Sequence, residues 1–281
     1  MQKELEQKLN QFAREIRIGT LTEFQALGFG HIGGSMSIVE TLAVLYGAVM
    51  RIRPDEPGWP ERDKLVCSKG HAGPAIYAAL ALKGFFPYEE LLTLNQPGTN
   101  LPSHCDRNKT RGVDMTTGSL GQGSSLAVGM AMGDLLKGRD SRVFLILGDG
   151  EIDEGQVWEA AMFAGAKKLH NLTVFVDQNG KQLDGYTKDI LDSGDLGMKF
   201  EAFGFDTQSI DGNDISAVYD AVGKAAARNG KPHAIILHTK KGAGIPEVEQ
   251  TAANHNIVFK PGQIDPWLAE LKQQLASMGD D

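Results

Sequence analysis

Two apolar runs, residues 143–147 and 172–176, each end abruptly in polar residues, and that repetition constrains the fold more than any other feature. The first breaks at Gly148-Asp149-Gly150 and the second at Asp177-Gln178-Asn179, with an amphipathic stretch between them. This order reads as strand, turn, helix and strand, the repeating unit of a parallel sheet. In such a sheet the carboxyl ends of neighbouring strands lie side by side, at the edge where ligands bind. Asp149 then brings a carboxylate and Asn179 an amide oxygen, while the glycine turn exposes backbone amides that a phosphate can approach. Mg2+ takes hard oxygen ligands of this kind and is commonly completed by phosphates. The residues alone therefore predict a site for a metal-bound diphosphate.

The rest of the chain fits an α/β protein. Helical spacing of Leu5, Leu9, Phe12, Ile16 and Leu27 predicts a helix over residues 3–27, stopped by the glycines around His31. A second helix is expected from Ser37, with Glu40 three positions on completing a capping box. Residues 51–62 read as a surface loop, and residues 64–68 as a short buried strand leading into Lys69-Gly70-His71. Helices follow over 75–82 and 88–94. A long aperiodic segment, 95–119, carries His104, Cys105 and Asp106; loops of that length inside compact domains are commonly functional. Gly118-Ser119-Leu120-Gly121 opens a helix running to about residue 137. Further helices are expected over 195–203, 214–228 and 267–276, and a strand over 232–239. The pattern is that of a doubly wound, mostly parallel sheet flanked by helices. No repeat or linker divides it, so residues 1–281 are expected to form one domain.

Bulk properties exclude several functions. A net charge of −8 argues against general nucleic-acid binding, which needs clustered Lys and Arg. Cys67 and Cys105 are the two cysteines and do not form a Cys-x-x-Cys pair, so neither structural zinc nor a disulfide framework is expected. Adjacent residues rarely point at each other, so His104 and Cys105 are not read as a base and nucleophile. The amino-terminus lacks an apolar signal core and no apolar run reaches membrane-spanning length, so a cytoplasmic protein is expected.

Three stretches in order, Ser68-Lys69-Gly70-His71-Ala72, Met115 to Gly123, and Gly148-Asp149-Gly150 closed by Asn179, resemble the transketolases. Asn179 follows Gly150 with residues 151–178 between, which is similar to the thiamine-diphosphate motif of that family. Over essentially its whole length the chain looks like the amino-terminal, diphosphate-binding half, and most closely the first subunit of split, two-polypeptide transketolases. The resemblance implies an enzyme subunit that transfers a two-carbon ketol unit from a ketose to an aldose. It implies thiamine diphosphate as cofactor, with Mg2+ held by Asp149, Asn179 and the Lys181 carbonyl, and Ca2+ or Mn2+ as substitutes. His71 and Gly150 would contact the diphosphate, Gly118 and Leu120 the aminopyrimidine, and Glu151 and Asn179 would also bind the cofactor. His31, His104 and His255 resemble the histidines that bind sugar hydroxyls, with His255 also near the diphosphate. Glu154 resembles the glutamate that links two cofactor sites, and Glu159 shares its helix. His170, His233 and His238 are read as structural.

The chain departs from the family pattern at Ile32, Cys105 and Asn256, which puts the sugar-facing rim in doubt. The carboxylate that activates the cofactor's aminopyrimidine belongs to the pyrimidine-binding half. A separate carboxy-terminal subunit is therefore expected, in an α2β2 heterotetramer, and this chain is expected to be inactive alone. The alternatives are a subunit of another thiamine-diphosphate enzyme, of the 2-oxo acid dehydrogenase or deoxyxylulose-phosphate synthase kind, or a nucleotide-binding module. The last would need a Gly-x-Gly-x-x-Gly turn after a first strand, and none is found.

Overall fold

A computed structural model describes residues 1–227 and 229–278, so the expected helix end at Arg228 and the last residues of the 1–281 domain lie outside the described residues. In chain order the strands are β1 (Phe29–Gly30), β2 (Lys64–Cys67), β3 (Val143–Gly148), β4 (Leu172–Gln178) and β5 (Lys181–Gln182). After them come β6 (Gly185–Tyr186), β7 (Asp206–Asp211), β8 (His233–His238) and β9 (Ile257–Val258). The helices begin with α1 (Lys3–Leu27), α2 (Ile32–Met36), α3 (Val39–Val44), α4 (Gly73–Leu82) and α5 (Gln122–Leu136). They continue with α6 (Gly155–Ala166), α7 (Thr187–Ile190), α8 (Leu196–Ala202), α9 (Ile215–Ala225), α10 (Pro246–Gln250) and α11 (Asp265–Ser277).

Strands β2, β3, β4, β8 and β7 form one parallel sheet in that order. Both faces are covered, which is why β3 and β4 read as unbroken apolar runs. Phe144, Ile146, Phe175, Ile235 and Leu237 pack on one side with α1, α3, α4, α9 and α11. Val143, Leu145, Leu147, Val174 and Val176 pack on the other with α5, α6 and α8. Side chains two apart share a face, as strand geometry requires. The α/β architecture is the one expected, and among the described residues no helix is long and apolar enough to cross a membrane.

Local chemistry sets several boundaries. Helix α1 ends where Gly28 turns left-handed (φ 84°) and returns its amide to the Phe24 carbonyl. The Asp195 carboxylate caps α8 through the Met198 amide at 2.9 Å, and Asp214 caps α9 through Ser216 and Ala217. The capping box at Ser37 does not form. Ser37 gives its hydroxyl to Asp177 at 2.7 Å, Glu40 pairs with Arg17 at 2.6 Å, and α3 starts after Ile38. Residues 88–93 wind as a 3-10 turn instead of an α-helix. Edge strand β7 goes unnoticed in the sequence because only one of its faces is covered and its residues are mostly polar. The two-residue pairing of β1 with β9 is equally silent, yet it ties His255 to the loop of His31.

Glu23 is the anomaly of the core. It is 0% exposed in α1 and neither carboxyl oxygen has a hydrogen-bond partner among the described residues. The groups it acts on are Tyr77 in α4, Tyr88 in the 3-10 turn and Cys105 in the long loop. Burial pushes its carboxyl well above the usual range. A raised value means that the fold favours the protonated acid. That contribution is fully present below about pH 4.5 and is lost as pH rises through the folded-state value. Glu23→Gln is therefore expected to be nearly neutral at pH 4.5 and to stabilise by about 1–3 kcal/mol at pH 8. Urea unfolding across that pH range checks this; a difference independent of pH would contradict it.

Candidate active site

The carboxyl ends of β2, β3 and β4 open into a cleft of about 300 Å³. His31, His71, His104, Gly118, Leu120, Asp149, Gly150, Glu151, Asn179, Lys181 and His255 all line it. Of the expected site residues Glu154 alone is elsewhere. It is exposed just before α6, with its side chain against Gly121, and Glu159 is exposed on the same helix. A groove of about 640 Å³ lies between α1, α11 and the ends of β7 and β8, but it contains none of these residues.

Asp149 follows the last residue of β3 and Asn179 the last residue of β4. Gly148 pairs with Asp177 in register, so the two strand tips are level. The Asp149 carboxylate accepts the Gly180 amide at 2.6 Å and the Gly150 amide at 2.9 Å. The Asn179 amide oxygen accepts the Lys181 amide at 3.1 Å. Burial pushes the Asp149 carboxyl up to about 7, and the nearby Asp177 charge adds to this against the two backbone amides. Such a group gains from any cation that reaches it.

The imidazoles come from four distant segments. Ring centroids of His31 lie 5.5 Å from His71, 5.7 Å from His104 and 5.3 Å from His255, and His71 and His255 are 4.7 Å apart. Burial lowers all four, His71 well below the ordinary imidazole value and His255 to about 3 under the added influence of Lys241. The cluster is thus neutral near pH 7, and each ring offers one donor and one acceptor to a polyhydroxylated ligand. Ile32 and Cys105 are buried, Asn256 is exposed, and none of the three lines the cleft. Burial pushes the Cys105 thiol up to about 12, so it is no nucleophile.

Glu151 lines the same cleft. Its buried carboxylate accepts the Gly121 amide at 2.9 Å, the Gly148 amide at 3.0 Å and the Ser68 hydroxyl. It therefore staples the glycine loop before α5 to the ends of β2 and β3. Lys69, Gln182, Leu183 and Lys241 also line the cleft and were not singled out in the sequence. Lys69 and Lys241 sit beside glycines at strand ends and read there as terminators.

Behind the cleft lies a buried ion pair. Lys69 Nζ is 2.5 Å from Asp177 Oδ2 and also donates to the Gly34 carbonyl at 2.7 Å. Asp177 further accepts from Ser37, Asn179 Nδ2 and Thr239. Burial alone would raise this carboxyl, but the Lys69 ammonium and these donors carry it below its usual range.

Comparison with known proteins matches residues 8–275 to the family model described as transketolase, thiamine diphosphate binding domain. A 6-deoxy-6-sulfo-D-fructose transketolase subunit of a Clostridium species is 53% identical, over 93% of this chain and 95% of that protein. An apulose-4-phosphate transketolase subunit of Actinobacillus succinogenes is 40% identical, over 96% of this chain and 97% of that protein. The solved transketolase of Campylobacter jejuni superposes with a TM-score of 0.85 at 28% identity, over 100% of this chain but 48% of that one. The chain thus spans about half the length of the solved enzymes it matches.

Lys69→Met leaves Asp177 buried without its cation, and breaking a buried pair costs about 3–5 kcal/mol. Chemical denaturation is expected to show a loss of that size, recovered in large part by the double replacement Lys69→Met with Asp177→Leu. A loss below about 1 kcal/mol would show that the pair does not hold the cleft together.

Proposed function

This chain belongs to the transketolase family, and from that premise we propose that it is the diphosphate-binding subunit of a two-polypeptide transketolase. With a separate pyrimidine-binding subunit it transfers a two-carbon ketol unit from a ketose to an aldose. The observation that carries the reading is the convergence of Asp149, Asn179, Lys181 and four neutral imidazoles on one cleft at the strand tips. In this reading one thiamine-diphosphate-binding domain occupies the whole chain.

Asp149, Asn179 and the Lys181 carbonyl would hold Mg2+, with Ca2+ or Mn2+ as substitutes. The donors suit a hard cation. Each is an oxygen, and a carbonyl that accepts one hydrogen bond keeps a second lone pair. The Asp149 carboxyl, raised by burial, has no ion-pair partner among the described residues, and a divalent cation would supply one.

Bound thiamine diphosphate supplies the nucleophilic carbon and the electron sink that ketol transfer requires. The work of this chain is binding, orientation and proton handling. His71 and the Gly150 backbone would hold the diphosphate. Gly118 and Leu120 would offer their backbone to the aminopyrimidine, and Glu151 acts by holding their loop. His31, His104 and His255 donate hydrogen bonds to the hydroxyls and carbonyl oxygen of the ketose, where charge develops. Glu154, exposed beside Gly121, is assigned to the contact between cofactor sites.

Two relatives along nearly the full chain are named as subunits, which supports a partner polypeptide. We take the assembly to be an α2β2 heterotetramer. The donor is read as an anionic ketose, with 6-deoxy-6-sulfo-D-fructose first because of the 53% identical relative. Calorimetry is expected to show thiamine diphosphate binding that Mg2+ strengthens and Asp149→Ala abolishes. Mixing with a separate pyrimidine-binding transketolase subunit is expected to restore ketol transfer from the sulfonated ketose in preference to fructose 6-phosphate. Inactivity of that mixture with every ketose tried would refute the assignment.

A further inference from the structure

Glu23, near the carboxyl end of α1, takes no part in the cleft. It is fully buried, and among the described residues neither carboxyl oxygen has a hydrogen-bond partner. Buried polar groups are ordinarily satisfied, so an exception calls for a physical reason. The ionisable groups that face it come from three elements: Tyr77 from α4, Tyr88 from the 3-10 turn and Cys105 from the long loop. All three are acids that burial itself holds neutral, so none offers the positive charge a carboxylate would need.

These three elements are not held equally firmly. Helix α4 and the 3-10 turn are regular and pack directly on α1. Residues 99–113 have no regular secondary structure and are tied down at a few points. The Tyr77 hydroxyl donates to the Pro102 carbonyl at 2.8 Å. The Asn95 amide donates to the Leu101 carbonyl at 2.8 Å, and the Thr117 amide to the Cys105 carbonyl at 3.0 Å. Between Pro102 and Cys105 stands His104, which lines the cleft. The segment that meets Glu23 is thus the one that carries an imidazole into the site, and it is the cheapest of the three to displace.

We propose that Glu23 is a proton-linked latch beneath the loop of His104. While the carboxyl keeps its proton, residues 99–113 stay seated on α1 and α4; its ionisation releases them and withdraws His104 from the cleft. A carboxylate without a partner must reach water, and the loop is the shortest route. The seated state holds the proton, whereas the released state, with the carboxyl in water, gives it up. Release is therefore suppressed below about pH 4.5 and grows as pH rises toward the seated-state value. The latch needs no ligand and does not depend on what the cleft binds.

Amide-resolved hydrogen exchange of the full chain between pH 5 and 8, corrected for intrinsic rates, tests this. The reporters are the Asn95 and Thr117 amides, whose bonds break when the loop leaves. In the wild type their protection is expected to fall with rising pH, by up to about tenfold per unit. It should also lie well below that of the β3 and β4 amides at every pH, because the opening is local. Glu23→Gln keeps the shape and cannot ionise, so it is expected to abolish the pH dependence at both reporters. Glu23→Met serves the same purpose if the buried amide prevents folding. A pH response in the variant equal to that of the wild type overturns the proposal, as does wild-type protection that is independent of pH. Reporters protected as strongly as β3 and β4 would exchange only by global unfolding, and that result overturns it too.

Discussion

The salt bridge between Lys69 and Asp177 is the constraint on which the cleft depends. It joins the loop that follows β2 to the end of β4, and through its other hydrogen bonds it reaches Gly34, Ser37, Asn179 and Thr239. Segments separated by long stretches of chain thus share one charged centre. A buried pair of this kind adds little net stability, because desolvation offsets the Coulomb attraction. What it does is select one arrangement, since any displacement of these segments would strand a charge away from water. The histidine loops before α2 and α4 are attached to that centre, and their rings keep their mutual spacing for this reason.

Charge in the cleft is arranged asymmetrically. Its two carboxylates, Asp149 and Glu151, each accept two backbone amides and are each raised by burial. The imidazoles are neutral, and Lys241 is positive without an ion-pair partner among the described residues. In a low-dielectric pocket this combination rewards an anion that arrives with its own cation more than either ion alone. A metal-bound diphosphate has that character. The same neutrality leaves the histidines free to exchange hydrogen bonds with hydroxyls, a role that an imidazolium cluster would lose to mutual repulsion.

The sheet and its ligand-bearing tips were legible because they rest on local rules: unbroken apolar runs for buried parallel strands, and polar residues where those runs stop. Asp149, Asn179, His31 and His71 stand beside glycines near such ends and His104 lies in a long loop, whereas the role of His255 follows from the family resemblance alone. The misses share a different cause. Ser37 and Glu40 have the spacing of a capping box, but tertiary partners, Asp177 and Arg17, claim both side chains. Strand β7 pairs with β8 at the sheet edge with little apolar alternation to announce it. Lys69 and Lys241 look like solvated lysines next to turn glycines, and only the packing around them shows that water has been excluded. Glu151 is legible by position, but nothing local says that its carboxylate accepts from Ser68, Gly121 and Gly148.

The origin of the site residues in the chain has a further consequence. His31 and His255 meet where β1 pairs with β9, a junction of two residues on each side that joins two segments far apart in sequence. That pairing is too short to persist without support from the core. Gly33 supplies part of that support: its amide donates to the Asn254 carbonyl at 3.1 Å, an approach so close that an added Cβ would lie 2.2 Å from the same oxygen. The last histidine and Lys241 therefore belong to the structure only after α1 and the sheet have packed. A ligand that touches both would favour this closed arrangement over a frayed one by its binding energy. Cofactor affinity and the order of residues 241–258 are then two expressions of one equilibrium, and a change anywhere along the β1–β9 junction should alter both together.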